Sequence, residues 1–306
     1  MNTSGVLVVG SANMDMVVVC REFPKPGETI LGRQFGMFPG GKGANQAVCS
    51  AKLGGNTFFI GKMGNDMFKE KLSENMEKDG VRLDYILTDS VEPTGIALIS
   101  VNGYGQNEII VVSGSNMKLM PEDINQHKEA FHSAGVVITQ LEIPLETVME
   151  TARKTKEHGA LFILNPAPAR KLPPELLKLT DYITPNEIEL GMLSGIPVVD
   201  GDSASLAAKS LIGQGVRNVV VTLGDKGALL VNSTRSELFP TREVEVVDST
   251  AAGDAFNGAL AYALSEGRTI DEAIRFANIV ASYSVTKLGA QTSMPTMEEI
   301  KAVKVI

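Results

Sequence analysis

At 306 residues the chain allows one large domain, or one with a small appendage, and its 43% hydrophobic and 21% charged residues are ordinary globular usage. A net charge of -8 with no basic run argues against a nucleic-acid or acidic-membrane partner. No apolar stretch nears the ~20 residues that span a bilayer, Met1 to Gly10 show no signal peptide, and Cys20 and Cys49 lack zinc-like spacing. Free thiols in a reducing, cytoplasmic setting are expected.

In chain order, Gly5–Gly10 reads as a buried strand and Ala44–Leu53 as a small-residue helix stopped by Gly54 and Gly55. Thr57–Gly61 is a strand, and Asp66–Asp79 a helix with Phe68, Leu72 and Met76 on one face. The alternation resumes with strand Val136–Leu141, helix Leu145–His158, and strands Leu161–Leu164 and Tyr182–Thr184. Helix Ser203–Gln214, strand Asn218–Thr222, and helices Ala252–Ser265 and Ile270–Val285 follow. Strands alternating with helices predict a doubly wound, mostly parallel α/β sheet.

Two segments break the alternation. Asp15–Cys20 with Thr29–Phe38, and Gly95–Asn102 with Glu108–Val112, read as β-ribbons without intervening helices. They predict a small separate sheet, over about residues 15–38 and 95–112, with Val17, Val19, Ile96, Leu98, Ile110 and Val112 at alternating spacing. Either it is decoration or it is a lid; its nearness to polar clusters favours a lid that excludes water.

Gly36-x4-Gly41-Lys42 imitates a phosphate-binding P-loop, but position 43 is Gly where a magnesium-holding hydroxyl belongs. The alternative is that Gly40, Gly41 and Gly43 let backbone pass close to a ligand, with Lys42 and Asn45 as donors beside it. Asn13 and Asp15 follow the first strand, where open α/β sheets place ligands, although both are also ordinary turn formers. The strongest local signal is Asp248 to Phe256, DSTAAGDAF, entered from Val244–Val247 and followed by a helix. Its small residues leave backbone N–H groups open at a helix start, an anion site suited to a phosphoryl group in transfer. Asp254 beside it is either the base for an attacking hydroxyl or merely a helix cap. His127, His132 and His158 lie in polar stretches and are expected to be solvated, which leaves a carboxylate as the default base.

These residues resemble the ribokinase-like (phosphofructokinase-B type) carbohydrate kinase family from about Val6 to Pro295. The matching pieces are GSANMD at 10–15, GGKGANQAV at 40–48, QLE at 140–142, NPAPA at 165–169 and TPNEIE at 184–189. TLGDKG at 222–227, DSTAAGDAFNGALA at 248–261 and VTKLGAQTS at 285–293 complete the set. The family commonly has Gly where this chain has Ala252; AAGD looks like the ribokinase branch.

The resemblance implies a Rossmann-like α/β domain with a β-sheet lid, and a homodimer formed through that lid. It implies ATP as phosphoryl donor, a small sugar as acceptor, magnesium, and a potassium-type activator. Asn13, Asp15, Gly41, Lys42, Asn45 and Glu142 match sugar-contacting positions. Asp254 matches the general base, and Ala251, Ala252 and Gly253 the anion hole. Asn186, Thr222, Leu223, Gly224, Asp225, Lys226, Gly227 and Asn278 match the nucleotide pocket, and Asn186 with Glu189 an N-x-x-E element linked to magnesium and phosphate. Asp248, Thr250, Ser284, Lys287, Gly289 and Ser293 match a monovalent-cation site, several through backbone oxygens. D-ribose phosphorylated at O5 is the expected reaction. Kinases for deoxyribose, a ketose or a nucleoside remain open, as does a sugar sensor without turnover. A dehydrogenase is disfavoured because GSANMD lacks G-x-G-x-x-G spacing.

Overall fold

The structure, a computed structural model, describes residues 5–302. The chain enters through strand β1 (Gly5–Val9), then β2 (Asn13–Val19), β3 (Gln34–Gly40), α1 (Lys42–Lys52), β4 (Asn56–Gly64), α2 (Met67–Lys78) and β5 (Arg82–Asp89). It continues as β6 (Gly95–Val101), β7 (Asn107–Val112), α3 (Pro121–Gln126), α4 (Glu129–His132), β8 (Ala134–Thr139), α5 (Leu145–Glu157), β9 (Leu161–Leu164), α6 (Pro174–Leu179) and β10 (Tyr182–Ile183). The last part is α7 (Glu187–Ser194), α8 (Gly201–Gly213), β11 (Asn218–Thr222), β12 (Ala228–Asn232), β13 (Ser236–Phe239), α9 (Ala252–Ser265), α10 (Ile270–Ser284) and α11 (Met297–Ala302).

Nine strands form one sheet in the order β13-β12-β11-β10-β9-β8-β1-β4-β5, parallel except at β12 and β13. Strand β1 explains the two-layered core. Val6 and Val8 join the cluster under α1, α9 and α10, while Leu7 and Val9 join the one under α5 and α8. A strand buried on both faces reads as a continuous apolar run, which is what GVLVV is. From β1 the chain's pairings diverge to β4 on one side and β8 on the other. Such a switch point opens a crevice at the carboxyl ends of the strands.

The two ribbons fuse into a single four-stranded sheet, β3-β2-β6-β7, because β2 and β6 pair in parallel. The first ribbon's return strand starts at Gln34, not Thr29. The register corrects the expected apolar face. Met16 lies opposite Leu98 and Leu98 opposite Ile110, whereas Val17 lies opposite Ile99 and shares the face of Asp15. An odd register offset turns every side chain over, and sequence spacing could not fix it.

Other expectations shift in the same way. Strands β5, β12 and β13 and helix α7 were not legible as elements. Gly36 lies inside β3, so the P-loop imitation is a strand running into a helix. Only His132 is exposed; His127 stacks near Tyr85 at 5.6 Å, and His158 meets the rings of His132 at 4.5 Å and Phe131 at 5.8 Å. Both cysteines are free and buried.

Candidate active site

The site begins with two helices that meet at backbone distance. A Cβ on Gly258 of α9 would lie 2.6 Å from the Gln46 carbonyl and 2.7 Å from Cys49 Cβ on α1. Only a glycine permits that approach, and it sets the start of α1 against the start of α9. Asp254, 6% exposed, there accepts Asn45 Nδ2 on Oδ2 at 2.9 Å and Gln46 Nε2 on Oδ1 at 3.1 Å. Gln46 is itself fixed: Gln140 Nε2 donates to its Oε1 at 2.6 Å, and its Nε2 also reaches Asn165 Oδ1 at 3.1 Å. Gln46, Gln140 and Asn165 sit inside matched motifs yet carried no assignment from sequence. Their burial beside a carboxylate, which the sequence does not display, is what marks them.

The other wall is the turn between β1 and β2. Gly41, at φ 88°, packs where a Cβ would lie 2.7 Å from Asn13 N, and a Cβ on Gly43 would lie 2.7 Å from Ser11 N. The glycines of GGKG thus seat α1 on this turn. Glu142, after β8, accepts the Ser11 hydroxyl and Lys42 N, the latter at 3.2 Å, so its carboxylate meets the N-terminus of α1. Asn13 accepts Asn116 Nδ2 at 2.7 Å; Asn116 also clamps Ala12 N at 3.0 Å and was not singled out from sequence.

Charge is concentrated here. Burial, then the nearby charges of Glu142 and Asp254, push the Asp15 carboxyl up to about 7. The Lys42 ammonium is raised chiefly by Asp254, and also by Glu142 and Glu189, against the opposing effect of burial. One ammonium therefore lies in the field of three carboxylates, including one from the far side of the crevice. Burial likewise raises Glu189.

Ahead of α9, Ala251 is the one non-glycine with positive φ among the described residues, at φ 59° and ψ 16°. A left-handed alanine is strained by about 1–2 kcal/mol, and the strain aims the chain into the helix. Ala252 N bonds Ser249 O at 3.2 Å, and a Cβ at Gly253 would meet only open space. Ala251, Ala252 and Gly253 thus form an accessible helix entry next to Asp254.

The positions that the resemblance matches to a nucleotide pocket are held structurally. Asn186 and Glu189 cap α7 reciprocally, at 2.9 and 2.8 Å. Asn186 bridges in parallel to Thr222, and the turn Leu223, Gly224, Asp225, Lys226, Gly227 is closed by Leu223 N to Gly227 O at 2.8 Å. Asn278 is 5% exposed and spends its Nδ2 on Phe239 O at 2.8 Å, so a buried pin occupies the position matched to a nucleotide contact.

Behind the helix entry, Asp248 accepts Thr250 N and Gly289 N, both at 2.9 Å, and Val285 O accepts the amides of Val247 and Asp248. Burial opposes ionisation of Asp248, but the Thr250 and Gly289 hydrogen bonds outweigh it and hold the carboxyl below its ordinary value. Lys287 turns its ammonium to Glu299 at 2.6 Å, leaving only its carbonyl for a cation. Ser284 and Ser293 are buried, with hydroxyls given to Ala281 O and Ala290 O. Among the described residues no cluster of three His, Cys, Asp or Glu could hold a metal, so an ion here would rest on carbonyls and one carboxylate.

A doubly wound sheet, a separate small sheet beside its crevice, and an aspartate at a small-residue helix entry define a phosphotransferase of the sugar-kinase class. The pfkB family carbohydrate kinase model matches residues 3–297, and the chain belongs to that family. It is 42% identical over 297 residues to the bifunctional ribokinase/ribose-5-phosphate isomerase A of Fructilactobacillus sanfranciscensis, covering 96% of this chain and 55% of that relative. It is 41% identical over 292 residues to the ribokinase of Haemophilus influenzae, covering 95% of both. The ribokinase of Arabidopsis thaliana, solved with ribose and ATP, superposes with a TM-score of 0.93 at 38% identity over 97% of each chain.

Proposed function

We propose that this chain is an ATP-dependent ribokinase that transfers a phosphoryl group in line to O5 of D-ribose. The observation that carries the reading is Asp254: a buried carboxylate fixed on both oxygens and placed at an open helix entry. The relatives' names, and the ribose and ATP held by the Arabidopsis relative, support the substrate pair.

The sugar would sit between the β1–β2 turn and α1, gripped by Asn13, Asp15, Gly41, Lys42, Asn45 and Glu142. ATP would lie along Asn186, Thr222–Gly227 and the wall pinned by Asn278. Asp254 takes the proton of the O5 hydroxyl as that oxygen bonds the γ-phosphorus, and ADP leaves with the bridging electron pair. The amides of Ala251–Gly253 meet the charge developing on the phosphoryl oxygens. Lys42 offsets the carboxylates around the sugar. Magnesium would supply charge neutralisation on the phosphates, and Glu189 is the side chain that would help to hold it. The four-stranded sheet closes over the sugar and pairs with a second copy. An ADP-release assay over pentoses, deoxyribose, ketoses, hexoses and nucleosides, with the product's phosphate position read by NMR, tests this. Preference for any sugar but ribose, or a phosphate off O5, would refute the substrate assignment. No turnover with any of them would leave a sugar sensor.

A further inference from the structure

A chain of three amides runs into Asp254, from half-buried Asn75 through buried Gln291 and Asn45. Asn75 Nδ2 on α2 donates to Gln291 Oε1 at 2.7 Å; Gln291 Nε2 donates to Asn45 Oδ1 at 3.1 Å; Asn45 Nδ2 donates to Asp254 Oδ2 at 2.9 Å. Gln291 is 3% exposed and Asn45 5%. The direction of the chain is dictated at its end. An ionised carboxylate can only accept, so Asn45 must present its NH2 to Asp254 and its oxygen away. That oxygen then needs a donor, which fixes which way Gln291 faces, and Gln291's own oxygen needs the donor on Asn75. Reversing any one amide sets oxygen against oxygen in a buried place, where an unmade bond is costly.

We propose that Gln291 is a positioning residue for phosphoryl transfer. It touches neither sugar nor phosphate; it holds Asn45 in the one orientation that serves both the base and the sugar pocket. The inference rests on Asp254 being the base. It extends the functional machinery to a residue 37 positions beyond Asp254 in sequence and to a helix outside the crevice.

The test uses two isosteric variants and their combination in the full-length enzyme. Gln291→Met keeps the volume and removes both bonds. A ~10- to 100-fold fall in kcat is expected, as for a misplaced catalytic group, with KM for the sugar raised and KM for ATP unchanged. Asn75→Asp removes the outer donor, together with a 3.5 Å contact to Asp79 Oδ2, and forces Gln291 to turn; kcat should fall about tenfold, the equivalent of one hydrogen bond. In the Gln291→Met background Asn75→Asp should then change nothing, because no amide remains to turn. A mere effect of added charge would survive in that background, and equal effects in both would overturn the proposal. So would wild-type kcat in Gln291→Met. If Gln291→Met does not fold, Asn75→Asp at its half-exposed helical position decides alone, and an unchanged kcat with unchanged melting temperature refutes the relay. Asp254→Asn in the same assay separates the two ideas. Turnover surviving there removes the base, whereas its loss beside a normal Gln291→Met removes only the relay.

Discussion

Asn45 and Asp254, 209 positions apart, share a 2.9 Å hydrogen bond that ties the start of α1 to the start of α9. The bond sets the expected phenotype of Asp254→Asn. General-base loss should lower kcat by about 10²–10⁴-fold. The new amide must also turn its NH2 toward either Asn45 or Gln46, both donors, so the melting temperature should drop by a few degrees. Sugar binding by calorimetry should persist. Near-wild-type kcat would end the assignment of Asp254 as base.

Asp15 gives a pH dependence with a definite sign. Its folded-state value of about 7 stands above the ordinary 3.8 because burial, Glu142 and Asp254 disfavour its charge. The stabilisation by the protonated form is complete below the unfolded value and is lost as pH rises through about 7. Asp15→Asn should therefore exceed wild type in melting temperature by more at pH 8 than at pH 4. Sugar hydroxyls bond best to the ionised form, so KM for ribose should fall from pH 6 to pH 8 in wild type and stay flat in Asp15→Asn. A wild-type KM independent of pH would contradict this.

The alternating strands and helices were legible because buried parallel strands such as GVLVV and Val136–Thr139 are continuous apolar runs. Half-exposed β5 and β13 carry no such contrast, and β12, although a buried apolar run, lies in a hairpin with no helix beside it to mark it. The motif residues were legible as a set, and the structure brings Asn13, Lys42, Asn45, Glu142 and Asp254 around one crevice. Gln46, Asn116, Gln140 and Gln291 were not. An amide has no sequence signature of burial, and its role exists only once distant segments meet. The face assignment of the small sheet failed for a related reason: register is a property of pairing, not of spacing.

That small sheet leads to an oligomer prediction. On the face opposite Asp15, Val18, Leu98, Ile110 and Val112 are 37%, 42%, 64% and 48% exposed, and β7 is exposed throughout. An uncovered apolar face with a free edge is a template for pairing with another chain. A homodimer through this face should give a dimer mass by light scattering at micromolar concentration, and Ile110→Lys should give a monomer with a raised sugar KM. A fully active wild-type monomer would refute the pairing.

Potassium activation is the last expected outcome, and it rests on how the loop before α9 is tied. Asp248 is bonded through both carboxylate oxygens to Thr250 N and Gly289 N, and its backbone amide is bonded to Val285 O. The segments 248–250 and 285–289 are thus sewn together immediately before the strained Ala251. Gly289, at φ 90°, takes a conformation that other residues rarely adopt, and Lys287 has its ammonium engaged by Glu299. Carbonyls plus one carboxylate suit a large, weakly hydrated monovalent ion better than magnesium, which demands a tight octahedron and keeps its waters. Such an ion would stiffen the loop whose amides must face the phosphoryl group, so its effect should fall on kcat and leave KM for ribose nearly unchanged. With sodium or choline replacing potassium at fixed ionic strength, kcat should drop and recover on potassium titration. Asp248→Asn, which retains an oxygen for one backbone amide but lacks the charge, should need more potassium for the same recovery. A flat wild-type response, or an identical titration in Asp248→Asn, would show that Asp248 only ties the turn.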